Sequence, residues 1–398
     1  MRALHINDYA ESKGGAEAVM ASTLHALREQ AVDVDCFTVA DVASHRRTPW
    51  SYISNGPAAR ALSKRLESFR PQIVHLHNFY HELSPAILVP IMRFKASGCR
   101  VVMTAHDYHL RCPDPTLRWF NQEGAHLIDP QSSINWRRYW AGRWDQRGFG
   151  YHLLRTFQHY WNYGVRHRLK TIDCLLCPSH FCLDVMSVLG IPSEYLPNPA
   201  PSPEKCSEYE RADVPTLLFA GRLEPEKGVE QVVSIWPRDH QVRLEIIGEG
   251  SRRGAIEELI VRRGLENSVL LRGHLEQSEV MDRMGRVHGV LLPSRCYESA
   301  PNVLVEALSR RTPVLVSNLG GMAEFVRETG AGWTFELDDE ISLRTGLAEI
   351  ENVCRLQRSP ITDPEPLLSP RSRQAYVSRL IEVYQSLIQP RREMREVS

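Results

Sequence analysis

The sequence predicts an α/β chain carrying two doubly wound parallel sheets, and three observations lead there. Short apolar runs alternate with helix-period segments through the first half, a proline-punctuated charged stretch interrupts every apolar period, and the alternation then restarts. In the first half Ala3 to Asn7, Val32 to Val39, Ile73 to Leu76, Arg100 to Thr104 and Ile172 to Cys177 read as strands, with helices near 15–30, 57–69 and 84–96. Pro197, Pro199, Pro201, Pro203 and Pro215 bracket the charged stretch Glu204 to Asp213, which reads as a linker. Beyond it Thr216 to Ala220, Val242 to Ile247, Val269 to Leu271, Gly289 to Leu292, Pro313 to Val316 and Gly332 to Phe335 each neighbour a helical pattern. The last segment opens with Ser369 as an expected N-cap and Pro370 at the first helical position, then carries Tyr376, Leu380, Val383, Tyr384 and Leu387 at helical spacing. The expected divisions are therefore 1–198, a linker at 199–214, a second domain at 215–368 and a closing helix at 369–398.

Composition narrows the function classes. The 398 residues hold 48 Lys+Arg against 48 Asp+Glu, without the basic excess that binding nucleic acid through counterion release requires. Nine cysteines, an odd number, and the lack of a charged and apolar leader point to a reducing, cytoplasmic setting. The apolar run Ala86 to Met92 is broken by Pro90 and falls far short of the roughly 20 residues a bilayer needs. Neutrality is nonetheless an average. Between Ile134 and Lys170 ten aromatics interleave with seven arginines against one acid, Asp145. Trp136, Arg137, Arg138, Trp140, Arg143 and Trp144 head this segment, and it reads either as a surface for an acceptor or an anionic membrane or as a stripe packed on its own domain.

Several short motifs carry chemistry. In Leu291 to Leu308 a strand ends at Pro293, a loop carries Glu298, and Pro301 stands at the expected first helical position. The amides of Asn302, Val303 and Leu304 would then face a phosphate, with Glu306 further along the helix. After another strand, Gly221 to Val229 holds Arg222 and Lys227, two cations suited to clamping a diphosphate. Gly14 and Gly15 precede a helix after the first strand, where backbone can approach a ligand closely. Gly248-Glu249-Gly250 opens a near-match to the dinucleotide fingerprint with one residue too many before Gly254, so a nicotinamide site stays only as an alternative. His106, His109 and Cys112 offer metal-ligand chemistry, but no second pair with zinc spacing accompanies them. Asp33-Val34-Asp35 is formally a metal-chelating pattern, yet it lies within a strand, with both acids on one exposed face.

Taken in order, Gly14-Gly15-Ala16-Glu17, His106-Asp107, Pro178-Ser179, Pro197-Asn198, Gly221 to Val229, Ile247 to Gly250, Glu298 to Glu306 and Gly320 to Glu324 resemble glycosyltransferase family 4 over nearly the whole chain. The resemblance implies the GT-B fold: two facing Rossmann-like domains, a deep interdomain cleft, and a C-terminal helix crossing back to the N-terminal domain. It further implies sugar transfer from a UDP- or GDP-linked donor with retention of configuration, needing neither cofactor nor metal. The N-terminal domain would take the acceptor and the second the donor. By the same resemblance His106, Arg222, Lys227 and Glu298 are catalytic, and Gly14, Gly15, Gly248, Asn302, Val303, Leu304 and Glu306 bind the donor. The acceptor would be a glycan, glycolipid or lipid-linked molecule in bacterial surface polysaccharide assembly, at the inner face of the membrane. A sugar-nucleotide epimerase and a transferase for a small natural-product acceptor remain open, and oligomeric state is unreadable.

Overall fold

The computed structural model describes residues 1–10, 14–43, 46–132, 142–201, 210–357 and 359–389. The chain divides into two compact units, residues 1–199 with 373–398, and residues 200–372.

The first unit carries a six-stranded parallel sheet of β1 (Arg2–Ile6), β2 (Asp33–Phe37), β3 (Ile73–Leu76), β4 (Arg100–Thr104), β7 (Cys174–Cys177) and β8 (Ser193–Tyr195). A small antiparallel pair, β5 (Arg118–Asn121) and β6 (Gly124–Leu127), stands apart from it. The order β2-β1-β3-β4-β7-β8 reverses between β1 and β3. The second unit strings β9 (Thr216–Ala220), β10 (Arg243–Ile247), β11 (Val269–Gly273), β12 (Gly289–Leu292), β13 (Val314–Ser317) and β14 (Gly332–Phe335) in the order β11-β10-β9-β12-β13-β14, reversing between β9 and β12. Both are doubly wound sheets, and ligands of such sheets bind at the carboxyl ends of the strands where the order reverses.

Burial on both faces explains why these strands read as unbroken apolar runs. In the second unit Leu217 and Phe219 pack into one core layer, while Leu218 between them packs into the other. In the first unit Ala3, Ile73, Val102 and Leu176 present one sheet face to Tyr376, Val377, Leu380, Val383 and Tyr384 of the closing helix, Arg373–Ile388. That helix begins later than expected. Ser369 and Pro370 lie in a 3-10 turn, Ser369–Arg371, that follows a one-turn helix at Glu365–Leu368, because both prolines, Pro366 and Pro370, stand within the first two residues of a new turn.

The basic aromatic segment also departs from expectation. Trp136, Arg137, Arg138 and Trp140 lie outside the described residues. Trp144, expected at a surface, is fully buried, whereas Arg143 is exposed. The helix Phe149–His159 and the π-helical turn Tyr160–Val165 bury His152, Thr156, Gln158, His159 and Asn162. Their outer face instead carries Phe149, 62% exposed, and Tyr151, 48% exposed, with Leu153, Phe157 and Tyr160.

Candidate active site

At the reversal point of the second unit two loops meet, one following β9 and one following β12. Glycine makes the meeting close. A Cβ on Gly228, whose φ is +71°, would lie 1.9 Å from the Pro293 carbonyl oxygen, and the Arg295 N–H donates to the Glu226 carbonyl at 2.8 Å. These contacts bring Lys227 to Glu298, Nζ to Oε1 2.6 Å, and Ser294 Oγ donates to the same oxygen at 2.8 Å. Burial is the largest influence on both charged groups and opposes ionisation. On Glu298 it is outweighed by the charge and hydrogen bond of Lys227, the bond from Ser294 and the charge of Arg222, so the carboxyl stays below its ordinary value. On Lys227 the neighbouring Glu298 likewise wins, and its pKa lies above the usual lysine value. Arg222 sits at the rim, 66% exposed, with Glu226 at 3.4 Å.

The helix Asn302–Ser309 starts one residue later than expected. Pro301 is its N-cap, with extended ψ of 122°, and its carbonyl accepts from the Leu304 N–H at 3.1 Å. Leu304 therefore has no amide to spare for a ligand. Glu306, one turn on, accepts from Gln277 Nε2 at 3.1 Å, and burial raises its carboxyl above the ordinary value against that bond. Gly248 has a packing role. Its N–H donates to the Gly273 carbonyl at 2.8 Å, and a Cβ there would lie 1.9 Å from the Gly221 carbonyl oxygen. Its amide is thus committed within the fold.

The corresponding point of the first unit is polar. Gly14 caps the helix Gly15–Glu29 in extended conformation, and Glu17 in its first turn accepts from Asn7 Nδ2 at 3.1 Å. Asp8, two residues past β1, accepts backbone N–H groups of His81, Glu82 and Leu83 at 2.8–3.0 Å and so shapes the loop after β3. Burial pushes its carboxyl up to about 7 despite those bonds. His106, two residues past β4, places Nε2 2.9 Å from His77 Nδ1, and burial lowers its pKa to about 4. Asp107 accepts from the Tyr80 hydroxyl at 2.6 Å and is raised by burial to about 6.

The candidate trio His106, His109 and Cys112 does not converge. His109 stacks on Tyr80 with ring centroids 3.6 Å apart, and Cys112 Sγ donates to the Asp114 carbonyl. Asp33 is exposed while Asp35 pairs with Arg65 at 2.6 Å, so the two acids of that pattern do not share one solvated role. Among the described residues, the one group of three ligand types close enough to share an ion is His5, His75 and His77. Sequence reading missed these histidines, Asp8, Glu17 and Ser294. The alternation Ile73, His75, His77 carried a signal for one shared strand face, whereas Ser294 is marked only by its place after a strand-ending proline.

Comparison with known proteins follows the same two-part division. The family described as Glycosyltransferase Family 4 matches residues 13–200, and that described as Glycosyl transferases group 1 matches residues 204–359. An uncharacterized glycosyltransferase of Methanocaldococcus jannaschii is 31% identical over 127 residues, 31% of this chain and 32% of that protein. Glycogen synthase of Mycobacterium tuberculosis is 33% identical over 114 residues, 28% of this chain and 27% of its own. Alpha-D-kanosaminyltransferase of Streptomyces kanamyceticus is 29% identical over 128 residues, 31% and 33% of the two chains. The matched stretch thus spans about a third or less of these relatives. Among solved structures, sucrose-phosphate synthase from Thermosynechococcus elongatus superposes with a TM-score of 0.72 at 16% identity, covering 97% of this chain and 98% of that one. Anabaena HepE, solved in complex with UDP and glucose, gives 0.64 at 14% identity over 97% and 100%. These likenesses establish the GT-B fold.

Proposed function

The chain belongs to glycosyltransferase family 4, and from that membership we propose that it moves a sugar from a UDP- or GDP-linked donor onto a glycan, glycolipid or lipid-linked acceptor, with retention of configuration and no metal ion. The observation that carries this reading is the Lys227–Glu298 pair, held in the charged state at the strand-order reversal of the second unit. A retained cation there serves a leaving diphosphate: negative charge grows on it as the glycosidic bond breaks, and a fixed ammonium favours that growth over the ground state. Glu298 would accept hydroxyls of the sugar, Glu306 those of the ribose, and the first-turn positions Asn302 and Val303 would face phosphate oxygens. Arg222 at the rim would close over the diphosphate, Gly14 and Gly15 would approach it, and His106 would contact the transferred sugar. With front-face displacement the leaving phosphate takes the acceptor proton, so no side-chain base is needed.

The exposed hydrophobic side chains Phe149, Tyr151, Leu153, Phe157 and Tyr160, alongside exposed Arg143, Arg147 and Arg166, support an anionic membrane surface or lipid-linked acceptor as partner. Peripheral attachment at the cytoplasmic face and a role in surface polysaccharide assembly fit that partner. The kanosaminyltransferase likeness favours a second reading, a small natural-product acceptor. A thermal-shift screen of nucleoside diphosphates and their sugars tests the donor, since a ligand at 100 times its Kd stabilises by about 2.7 kcal/mol. Incubation with the selected donor alone then separates slow hydrolysis, expected of a transferase, from isomerisation, which would make the protein an epimerase. No shift with any nucleoside diphosphate would refute the proposal.

A further inference from the structure

Histidines at the carboxyl end of the first sheet form a hydrogen-bonded chain whose two ends lie two residues apart. His75 on β3 has Nε2 2.8 Å from Thr104 Oγ1 on β4 and Nδ1 2.6 Å from the Tyr384 hydroxyl of the closing helix. That hydroxyl stands 3.4 Å from His5 Nε2 on β1. His5 Nδ1 is 3.1 Å from His77 Nε2, and His77 Nδ1 is 2.9 Å from His106 Nε2. His5, His75, His77 and Tyr384 are fully buried. The strand period of two aligns them, since His5 follows Ala3 and His75 and His77 follow Ile73 on the face the closing helix covers.

A neutral imidazole has one N–H and one lone-pair nitrogen, and a tyrosine has one O–H. Both nitrogens of His5, His75 and His77 are links in this chain, so direction propagates along it. When His106 Nε2 accepts, His77 accepts in turn from His5, His5 from Tyr384, Tyr384 from His75, and His75 from Thr104. Reversal at one link favours reversal of the others, because a mixed chain either sets two N–H groups or two lone pairs face to face or leaves the Tyr384 O–H buried without an acceptor along the chain. Burial keeps the rings neutral, lowering His5 to about 3 and His75 and His77 well below their ordinary value. The same three histidines offer ligand nitrogens within 4.8 Å of one another, so an ion held there is the competing reading, and the zinc measurement below separates the two.

We propose that Tyr384, His5 and His77 are positioning residues that fix which nitrogen of His106 carries its proton, and thereby the polarity His106 offers the transferred sugar. The second half of this statement rests on the reading of His106 as a sugar contact. Through this chain the closing helix, remote in sequence, sets the hydrogen-bonding character of a group at the mouth of the sheet.

Histidine-selective 15N labelling reads the tautomers directly, with His106→Ala identifying the resonance. The wild type is expected to show a single neutral tautomer at His106. Tyr384→Phe removes the central hydroxyl and is expected to give a mixture of tautomers at His106, with kcat lowered roughly tenfold, the rate equivalent of one net hydrogen bond, and donor KM unchanged. His5→Gln cuts the same link from the strand side and gives the same signature should Tyr384→Phe fold poorly. Tyr376→Phe is the control, because this buried tyrosine of the same helix bonds Thr23 outside the chain, and it leaves the tautomer and kcat unchanged. An unchanged His106 tautomer in Tyr384→Phe overturns the proposal, as does one equivalent of zinc that survives chelation and shifts His5, His75 and His77 together. A shifted tautomer combined with full turnover in His106→Ala upholds the chain and places the fault with the sugar-contact reading.

Discussion

Lys227→Ala is the sharpest test of the proposed chemistry. The ammonium lies 2.6 Å from Glu298 Oε1, a separation at which the gross attraction is about 1.6 kcal/mol in water and about 6 kcal/mol at an effective dielectric of 20. Side chains still 24% and 18% exposed keep part of that screened, and desolvation offsets more, leaving roughly 1–3 kcal/mol of pairing. The alanine variant should lose about that much stability by urea unfolding. Its Glu298 carboxyl should also rise, since burial would no longer be opposed by the adjacent charge. Turnover, followed as nucleoside diphosphate release, should fall on the order of 10²-fold or more in Lys227→Ala and likewise in Glu298→Ala, the usual size of one lost preorganised contact. The double variant separates the roles. If Lys227 serves only as counter-ion to Glu298, removing both residues recovers stability and costs no more turnover than Glu298→Ala alone. If each acts on its own part of the donor, the two losses multiply and the double variant is slower than either single by on the order of a further 10²-fold. Loss of stability with wild-type turnover in Lys227→Ala would refute the diphosphate role, and wild-type turnover in both single variants would refute the site.

Gly228→Ala should destabilise by at least about 2 kcal/mol in urea, adding left-handed backbone cost to a clash with Pro293, while Gly190→Ala, at φ +65° with open space around it, should cost only about 1 kcal/mol; equal losses would refute the close approach. Between about pH 6.5 and 4 stability should fall as pH drops, because burial holds His5, His81, His106 and His159 at about 3, 3, 4 and 3, so the unfolded chain takes up protons the folded one refuses. Asp8 and Asp107, raised by burial to about 7 and about 6, act in the opposite sense but are fewer, and a urea midpoint that is flat over this window would contradict the buried neutral rings. Co-sedimentation with anionic vesicles at low salt should occur and weaken roughly tenfold for each of Phe149→Ser and Phe157→Ser, whereas no binding by the wild type would remove the membrane surface.

The second unit was nearly readable from its sequence because its strands are apolar on both faces and its loops carry glycines where backbones collide. Gly228 and Gly248 are of this kind, each facing a carbonyl oxygen that a Cβ would strike. The segment after Trp144 was legible only as two alternatives, for a physical reason. Periodicity reasoning assumes that the buried face of a helix is apolar. Here Gln158 Nε2 donates to the Tyr52 and Tyr80 carbonyls at 2.5 and 2.8 Å, and Asn162 Nδ2 to the Gln158 carbonyl at 2.7 Å. Gln158 thereby satisfies carbonyls from distant parts of the sequence and Asn162 one in its own helical segment, which leaves the aromatics to the outside. Nothing local in the sequence encodes that inversion. The helix start at Asn302 was off by one because proline suits both N-cap and first-turn positions, and the choice fell to its ψ.

The two reversal points solve one burial problem in opposite ways, and the difference bears on what each can bind. In the second unit pairing outweighs burial, so Lys227 and Glu298 both stay ionised. In the first unit burial outweighs the hydrogen bonds and charges that oppose it: His77 and His106 are driven toward neutral rings, Asp8 and Asp107 toward protonated acids, and the Tyr80 hydroxyl is held well above its ordinary value. A charged pair is suited to a ligand whose own charge changes during reaction, because a fixed cation lowers the energy of the more charged state more than that of the less charged one. A neutral network of fixed direction is suited to hydroxyls, which carry no net charge and are told apart by donor and acceptor geometry alone. Diphosphate recognition by the second unit and sugar-hydroxyl recognition by the first are therefore separate claims, each resting on its own electrostatics: Lys227→Ala strikes one and Tyr384→Phe the other.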